Sequence, residues 1–468
     1  MKTKKQLFLL LMISLTISVW SCKKKSDSTT TTTTTTTTSS SICPTITQIS
    51  SLPNTNLSGC LNGVLLENTT YYLTGDVTID PNSSLVVEPG VTVIANGNYI
   101  INVRGLISTN GTLSAPIKFT VPTAAKTGSN NGLIAGYGGA WGGLNCDSAV
   151  GVSLHFTVVE YMGGPDATGS PRLGISCEYT KSLSIEDCWV RYCYDDGLRI
   201  HGTQNCIVRR NTFEHVGSTG GESINIKQGA TGDCSYNIIW NSATKAIKLE
   251  TDATVLYPQT QWNVYNNTVI NSGFRNAAKP GPGTSIDLNS QANVFNNLYI
   301  NALRGVCVFQ QADSAHTFYD NNLFISTDGG STADSTGLKG GEAYYTFPLA
   351  TYFYDTTDKG CVGYPGLAAL HKRFHDKRYT FANAAALNAA GIVTSINDFS
   401  ADIPRLDWMS GAAPYNVNLP VGSPAIGAGR TTPFTFVLSG LSVAPTPGAD
   451  IGAKQSASSS AFVYSNQH

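Results

Sequence analysis

The sequence predicts an all-β solenoid, a parallel β-helix, on three observations. A short phrase that begins with Asn or Asp recurs six times between residues 187 and 326. Apolar residues alternate with polar ones after each phrase, and convincing helical spacing is missing between residues 62 and 322. The phrases begin at Asp187, Asn211, Asn237, Asn267, Asn297 and Asn322, at intervals of 24, 26, 30, 30 and 25 residues. Such a period is the length of one coil of a stacked solenoid.

A second apolar run follows each phrase and predicts a second strand in each coil. Alternation at period two places one side chain inside and the next outside. Gly, Asn, Ser, Thr and Asp separate the runs, which excludes helical repeats. The inward pairs are Leu198 and Ile200, Ile224 and Ile226, Ile247 and Leu249, Ile286 and Leu288, and Val306 and Val308.

The recurring Asn predicts a structural ladder. Coils of a parallel β-helix stack about 4.8 Å apart, so equivalent positions form columns along the axis. An Asn at one turn of each coil can bond the Asn above and below it, and it tolerates the left-handed backbone of a sharp corner. We expect the ladder to contain Asp187, Asn211, Asn237, Asn267, Asn297 and Asn322.

The N-terminus predicts export. Residues 1–21 form a signal peptide, in which lysines precede an apolar run from 7 to 19 that is too short to span a bilayer. Its end, Val19-Trp-Ser-Cys22, resembles a bacterial lipobox, which implies a lipid on Cys22 and an anchor at the outer membrane or cell surface. Ordinary secretion is the alternative. Residues 22–62, with ten consecutive threonines, predict a disordered tether.

Composition limits the possible partners. A net charge of −1 and 13% charged residues give no case for nucleic acid. Export permits disulfides, and Cys43 with Cys60 could close a loop at the start of the folded domain. No Cys or His spacing indicates zinc, so we expect no metal and no cofactor. Calcium at the acidic positions stays open but is not indicated, since no regular acidic loop is present.

The repeat ends after Asn322. We therefore assign residues 63–342 to the β-helix and 343–468 to a C-terminal extension that caps the last coils. Residues 381–391 predict its one helix, ended by Gly391. A basic cluster in this extension is a candidate site for an acidic polysaccharide, and it contains Lys372, Arg373, Lys377 and Arg378.

Three segments carry a resemblance to a known class. They are residues 72–94, the run Ala140-Trp-Gly-Gly-Leu, and Gly422-Ser-Pro-Ala-Ile-Gly-Ala-Gly followed by Asp450-Ile-Gly-Ala. The chain resembles the pectin-lyase-like β-helix proteins, especially secreted and surface lipoproteins of Bacteroidetes-type bacteria, over residues of roughly 70 to 453. The resemblance implies a right-handed coil, as the rule for parallel crossovers also does. It implies no single activity, because this fold hosts lyases, hydrolases and adhesins.

Aligning the coils predicts a charged face. The inward residues Leu198, Ile224, Ile247 and Ile286 serve as the reference for the alignment. Acids, bases and an imidazole then converge on one outward surface, which is the candidate site. The predicted columns are Arg199, Asn225, Lys248, Asp287, Cys307; then His201, Lys227, Glu250, Asn289; and, just before the strand, Asp196, Glu222, Lys245.

The segment from Glu222 to Lys227 resembles the signature of chondroitinase B-like and alginate lyases. The resemblance implies that Lys227 removes a proton beside a uronate carboxylate. The Arg of that pattern is missing, because Glu250 occupies the corresponding strand end and Lys248 lies on the neighbouring column. A carboxylate beside Lys227 would raise the pKa of the lysine, which opposes a role as base. Solvated charge pairs that join neighbouring coils are the alternative.

Asp195, Asp196 and His201 resemble, in part, the acidic and histidine elements of polygalacturonases. Hydrolysis needs two separated carboxylates, one acid and one base. Both acids could instead shape the turn before the strand, since Asp is favoured in turns. Arg199 on the same coil is a candidate substrate contact.

These observations favour a surface-anchored lipoprotein that binds a polysaccharide or a cell-surface protein without catalysis. A polysaccharide lyase or glycoside hydrolase is the enzymatic alternative, and an adhesive or structural spacer is the third. We expect a monomer whose only membrane contact is the lipid anchor.

Overall fold

The computed structural model describes residues 51–52, 55–126, 139–218, 220–252, 257–273, 281–302, 305–309, 311–313, 316–326, 377–396, 415–431 and 447–456. Within these ranges the chain is a right-handed parallel β-helix with a C-terminal extension, which confirms the predicted fold class. The strands form three parallel ladders, named A, B and C in chain order, and most of the described coils give one strand to each. Almost all of the described structure outside turns is strand.

The strands are numbered along the chain. Ladder A contains β2 (Gly63–Leu65), β4 (Ser84–Val87), β7 (Leu106–Asn110), β10 (Gly151–His155), β13 (Leu183–Glu186), β16 (Cys206–Arg209), β19 (Thr231–Ser235), β22 (Thr260–Tyr265), β25 (Ser290–Phe295) and β28 (Phe318–Asp320). Ladder B contains the first half of β3 (Thr70–Ile79), then β5 (Thr92–Ala95), β8 (Ile117–Thr120), β11 (Thr157–Glu160), β14 (Trp189–Cys193), β17 (Thr212–Val216), β20 (Ile238–Trp240), β23 (Thr268–Ile270), β26 (Leu298–Ile300), β29 (Leu323–Ser326) and β30 (Lys377–Thr380). Ladder C contains the second half of β3, then β6 (Ile100–Val103), β9 (Gly143–Asn145), β12 (Ile175–Glu178), β15 (Leu198–His201), β18 (Ile224–Lys227), β21 (Ile247–Glu250), β24 (Thr284–Ile286) and β27 (Val306–Val308).

The remaining elements are short. Strand β1 (Asn56–Cys60) pairs with both halves of β3 at the N-terminal end. A 3-10 helix covers Thr123–Ala125, and helix α1 covers Ala384–Ala389 inside the predicted segment 381–391. Strands β31 (Ser395–Ile396) and β32 (Tyr415–Asn416) form an antiparallel pair. No helix among the described residues is long and apolar enough to cross a membrane.

The core is a set of apolar columns inside the coils. Leu198, Ile224 and Ile247 stack directly in ladder C, and each is fully buried. Burial of apolar area contributes about 25 cal/mol per Å². Because every coil continues the same columns, each coil is stabilised mainly by its two neighbours.

The turn between ladders A and B contains a buried asparagine ladder. Its members share one bonding pattern, in which the side-chain amide of one Asn donates to the side-chain oxygen of the next. The Nδ2 of Asn237 lies 2.9 Å from Oδ1 of Asn267, and the Nδ2 of Asn267 lies 3.0 Å from Oδ1 of Asn297. The ladder consists of Asn211, Asn237, Asn267, Asn297 and Asn322, all fully buried.

Asp187 stands outside this ladder, so its predicted place there was wrong by one residue. Trp189 pairs with Thr212, which sets Cys188 opposite Asn211. Asp187 has a φ of 56° and forms an ion pair with Arg210. The left-handed backbone therefore belongs to the residue before each ladder position, because that residue makes the corner. This corner column is Asp187, Arg210, Tyr236, Asn266, Asn296 and Asn321.

The coil that holds β24 has a different register from the predicted one. Ile247 pairs with Thr284 and Leu249 with Ile286, whereas the sequence alignment matched Ile247 with Ile286. A slip of two residues preserves the inward and outward pattern, so alternation cannot detect it. Asp287 consequently continues the column of Glu250 instead of the column of Lys248. Ser285 takes the place beside Lys248, and Cys307 keeps its predicted place in that column because it pairs with Ser285. Asn289 leaves the Glu250 column for the following turn.

The C-terminal extension packs against the outward face of ladder B. Outward Ile270, Ile300 and Ile325 form an apolar cluster with Leu387 and Ile451 of the extension. Strand β30 also extends ladder B by pairing with β29, although residues 377–380 were assigned to the extension. The extension therefore covers the side of the last coils and also adds to their ladder.

Three corner asparagines hold the extension through its backbone. Each precedes a ladder asparagine, so the sequence shows an Asn-Asn doublet in these coils. Each donates its Nδ2 to a carbonyl of the extension, and together these bonds fix the extension to three successive coils. The bonds join Asn266 to Asp450 (2.6 Å), Asn296 to Arg430 (2.8 Å) and Asn321 to Ala428 (3.1 Å).

The folded chain begins before the predicted boundary. The tether was assigned to residues 22–62, but β1 lies within that range because its backbone completes the edge of β3. Cys60, at the end of β1, is in a disulfide. Cys43, its predicted partner, and Cys22 lie outside the described residues.

Asn267→Leu should lower the free energy of unfolding by about 2 kcal/mol or more, because it leaves buried partners of the ladder without hydrogen bonds. Thermal and denaturant unfolding measure the change. Asn96→Leu, at an exposed position, is the matched control and should unfold like the wild-type protein. Equal stability of the two variants would contradict a stabilising ladder.

Candidate functional site

The candidate site is the outward surface of ladder C from β12 to β21. Parallel pairing aligns Glu178, His201, Lys227 and Glu250 in one column. The neighbouring column contains Arg199, Asn225 and Lys248, and the turn before the strands adds Asp196, Glu222 and Lys245. We call these ten residues the charged face.

A buried carboxyl pair lies at the turn edge of the charged face. The Nδ2 of Asn225 donates to Oδ2 of Asp196 at 2.8 Å and to Oε2 of Glu222 at 3.2 Å, and the backbone N–H of Glu222 donates to Oδ1 of Asp196 at 2.9 Å. Asp196 is 1% exposed, and Arg199 binds its Oδ2 at 2.7 Å. Burial raises the pKa of Asp196, but the Arg199 charge and the hydrogen bonds outweigh burial and lower it.

Glu222 is the member of the pair that keeps a proton. Burial raises the pKa of Glu222 to about 7, with a further contribution from the Asp196 charge. Lys245 and Lys248 oppose this effect only weakly, since both ammonium groups lie 3.9 Å from its Oε1. Glu222 is therefore partly protonated near pH 7.

Three lysines converge beyond the carboxyl pair. Lys248 forms an ion pair with Oε2 of Glu250, and Nζ of Lys227 lies 3.5 Å from Oε1 of the same carboxylate. Burial raises the pKa of Glu250, but Lys248 and Lys227 outweigh burial and lower it. Burial and the charge of Lys248 lower the pKa of Lys245. All three lysines stay between 13% and 23% exposed, so a ligand can reach them.

Neither ring nitrogen of His201 is placed to exchange a proton with a ligand. Its Nδ1 lies 3.4 Å from Oε1 of Glu178, and its Nε2 is buried without a hydrogen-bond partner in the described part of the chain. A general base or acid must reach the proton that it moves. The ring therefore acts in packing, between Tyr179 and Tyr257.

The other predicted site residues are placed as follows. Asp195 lies half-buried in the turn before β15, where its backbone closely approaches Gly221. Lys372 and Arg373 lie outside the described residues. Lys377 and Arg378 begin β30, opposite Leu323 and Phe324. Lys377 and Arg378 therefore belong to ladder B, whereas the charged face is on ladder C.

Sequence reasoning missed three residues of this region: Glu178, Tyr179 and Tyr257. Glu178 ends β12, one coil before His201, and the pattern Ile175-Ser-Cys-Glu178 matches Leu198-Arg-Ile-His201 position by position. The shared alternation of inward and outward residues in these two strands could have identified Glu178 from the sequence. Tyr257 precedes β22 and carries no repeat signal, so only the structure brings it next to His201.

Metal ligation and thiol chemistry find little support in the described residues. They contain no group of three or more His, Cys, Asp or Glu that could hold a metal ion. Six of their cysteines are free and buried. Burial raises the pKa of Cys188 and Cys206, so these thiols stay protonated and unreactive. Cys307, like Cys60, is in a disulfide.

The geometry limits the chemistry of the charged face. A glycoside hydrolase needs two separated carboxyl groups that flank the scissile bond, whereas the carboxyl groups of Asp196 and Glu222 are joined by the Nδ2 of Asn225, which donates to both. Lys227, the base that the lyase resemblance implies, is paired with Glu250. The arrangement suits binding of polar and charged groups better than either reaction.

Comparison with known proteins agrees with the architecture. Residues 166–324, about a third of the chain, match the family model described as right handed beta helix region. A search of curated proteins gave no match. The matched residues hold β12 to β28, the first two residues of β29 and all ten residues of the charged face, so the fold class is shared where the site is built.

Glu222→Gln should change how stability depends on pH. The folded pKa of about 7 exceeds the ordinary value of 4.5, so the stabilising contribution of the protonated group is full below pH 4.5. It is lost as the pH rises through 7. The glutamine keeps a donor to Asp196 and does not titrate, so the variant should gain in melting temperature relative to the wild type between pH 5 and pH 8.

Glu67→Gln is the control for this titration, because Glu67 is exposed. Its melting curve should follow the wild-type protein at every pH. Parallel pH profiles for Glu222→Gln and the wild type would show that Glu222 does not hold a proton in the folded state.

Proposed function

We propose that this protein binds an acidic glycan along the charged face, at the cell surface and without a catalytic step. The observation that carries the proposal is the alignment of ten polar side chains over four neighbouring coils on a partly exposed surface. Successive coils lie about 4.8 Å apart, so the face is an extended strip that suits a linear polymer.

Charge favours an acidic ligand. Lys227, Lys245 and Lys248 present three ammonium groups, and Lys and Arg pair well with carboxylate or sulfate. Glu222 is partly protonated near pH 7, which leaves Lys245 without a full counter-charge. The lysines of the strip can therefore exchange their contacts with carboxylates of this chain for contacts with a ligand carboxylate.

A polysaccharide lyase is the second candidate, and one observation favours it. The pKa of Lys245 is lowered by burial and by Lys248, which is the direction that a general base needs. Lys248 could then neutralise the uronate carboxylate while Lys245 removes the neighbouring proton. This assignment moves the base from Lys227 to Lys245.

Binding to alginate and chondroitin tetrasaccharides, measured by calorimetry in low salt, tests the proposal. We expect the Lys245→Ala, Lys248→Ala double variant to bind at least about tenfold more weakly than the wild type, since two ligand contacts are lost. Raising the salt concentration should weaken wild-type binding, because partly exposed charges are screened.

Lys181→Ala is the matched control, since Lys181 is exposed and lies outside the charged face. It should bind like the wild type. Wild-type protein that binds neither tetrasaccharide would contradict the proposal and favour a structural spacer or a protein partner. Release of unsaturated uronates by the wild type, abolished in Lys245→Ala, would establish the lyase instead.

We also propose export and lipid anchoring through Cys22. The disulfides of Cys60 and Cys307 support an oxidising compartment. Cells fed a palmitate analogue should label the wild-type protein, and Cys22→Ala should abolish the label. Cys146→Ala, which removes a buried free thiol, is the control and should stay labelled. A label that persists in Cys22→Ala would contradict the anchor.

A further inference from the structure

Three aromatic rings lie at one end of the charged face, where ladder C turns toward ladder A. Tyr179 follows β12, His201 ends β15, and Tyr257 lies before β22. The ring centroids of Tyr179 and His201 are 5.2 Å apart, and those of His201 and Tyr257 are 6.0 Å apart. We call Tyr179, His201 and Tyr257 the aromatic platform.

Tyr179 is the exposed member of the aromatic platform and is held from below. Its surface is 49% exposed, although it contacts His201. A Cβ atom on Gly202 would lie 2.3 Å from Cε1 of Tyr179. The tyrosine ring therefore packs directly on the glycine backbone, where no side chain would fit. A ring held this way needs little further ordering when a ligand arrives, which reduces the entropic cost of binding.

Charged groups adjoin the exposed ring on the side of the charged face. Glu178 precedes Tyr179 in the chain and is 32% exposed. Lys227 and Glu250 continue the column of His201, one and two coils further along. An aromatic surface with a few convergent polar groups is the usual composition of a ligand site.

We propose that Tyr179 is a stacking surface for one pyranose ring of the bound glycan. The C–H face of a pyranose is apolar and its rim carries hydroxyl and carboxylate oxygens, so it matches a tyrosine face bordered by charges. The ring packs on Tyr179, and its rim points along the column to Lys227. This assignment rests on the proposed glycan binding and places one end of the ligand at the aromatic platform.

Calorimetry and ligand-detected NMR with alginate and chondroitin tetrasaccharides test the assignment. Tyr179→Ala should bind about tenfold more weakly, whereas Tyr179→Phe, which keeps the ring, should stay within about threefold of the wild type. Sugar protons should shift upfield on binding to the wild type and to Tyr179→Phe, and this ring-current shift should be absent with Tyr179→Ala. Tyr72→Ala removes another exposed tyrosine, in β3, and should bind like the wild type.

The outcomes separate this assignment from the proposed function. Wild-type protein that binds neither tetrasaccharide overturns both. If Tyr179→Ala binds like the wild type, and the Lys245 and Lys248 double variant binds weakly, only the stacking role is overturned. A melting temperature of Tyr179→Ala equal to that of the wild type shows that weaker binding reflects the lost ring and not a lost fold.

Discussion

Parallel stacking of coils at about 4.8 Å sets every residue against its own equivalent in the next coil, and the structure depends on this constraint. At the corner between ladders A and B, this stacking buries polar side chains. The ladder asparagines, from Asn211 to Asn322, supply hydrogen bonds to one another there. Outside, the stacking would place like charges in contact if a column repeated one residue type, which is destabilising. In the column Glu178, His201, Lys227, Glu250, Lys227 lies next to Glu250, so opposite charges of neighbouring coils pair there.

The same constraint explains how far the sequence predicts the fold. Alternating pairs such as Ile224 and Ile226 predict the strands, and the recurring Asn predicts the corner. Register is harder, because Ile286 and Leu288 keep the alternation whether or not the strand slips by two residues. Only hydrogen bonds between coils distinguish the two, and they place Ile286 opposite Leu249. The ladder needs only one Asn in each coil. The additional Asn of each Asn-Asn doublet therefore indicated a further role, which the structure shows to be binding of the extension.

Prediction of the site succeeds for contacts along a column and fails for contacts across a turn. The neighbourhood of Lys227 and Glu250 follows directly from the register. Repeat spacing also predicts that Asp196 and Glu222 are neighbours, but the hydrogen bond from the backbone N–H of Glu222 to Oδ1 of Asp196 depends on the turn conformation, which spacing does not specify. Tyr257 approaches His201 from a segment without repeat character. Such contacts come from tertiary packing and have no periodic signature.

The contacts within the charged face separate supporting groups from groups available to a ligand. Asp196 is held by Arg199, Asn225 and the backbone N–H of Glu222, so releasing it would leave buried partners unsatisfied. Lys227 and Lys245 have longer contacts with their carboxylates and stay partly exposed, so a ligand carboxylate can replace those contacts at little cost. The buried side of the face therefore fixes its geometry, and under the proposed function its partly exposed lysines are the groups that contact the ligand.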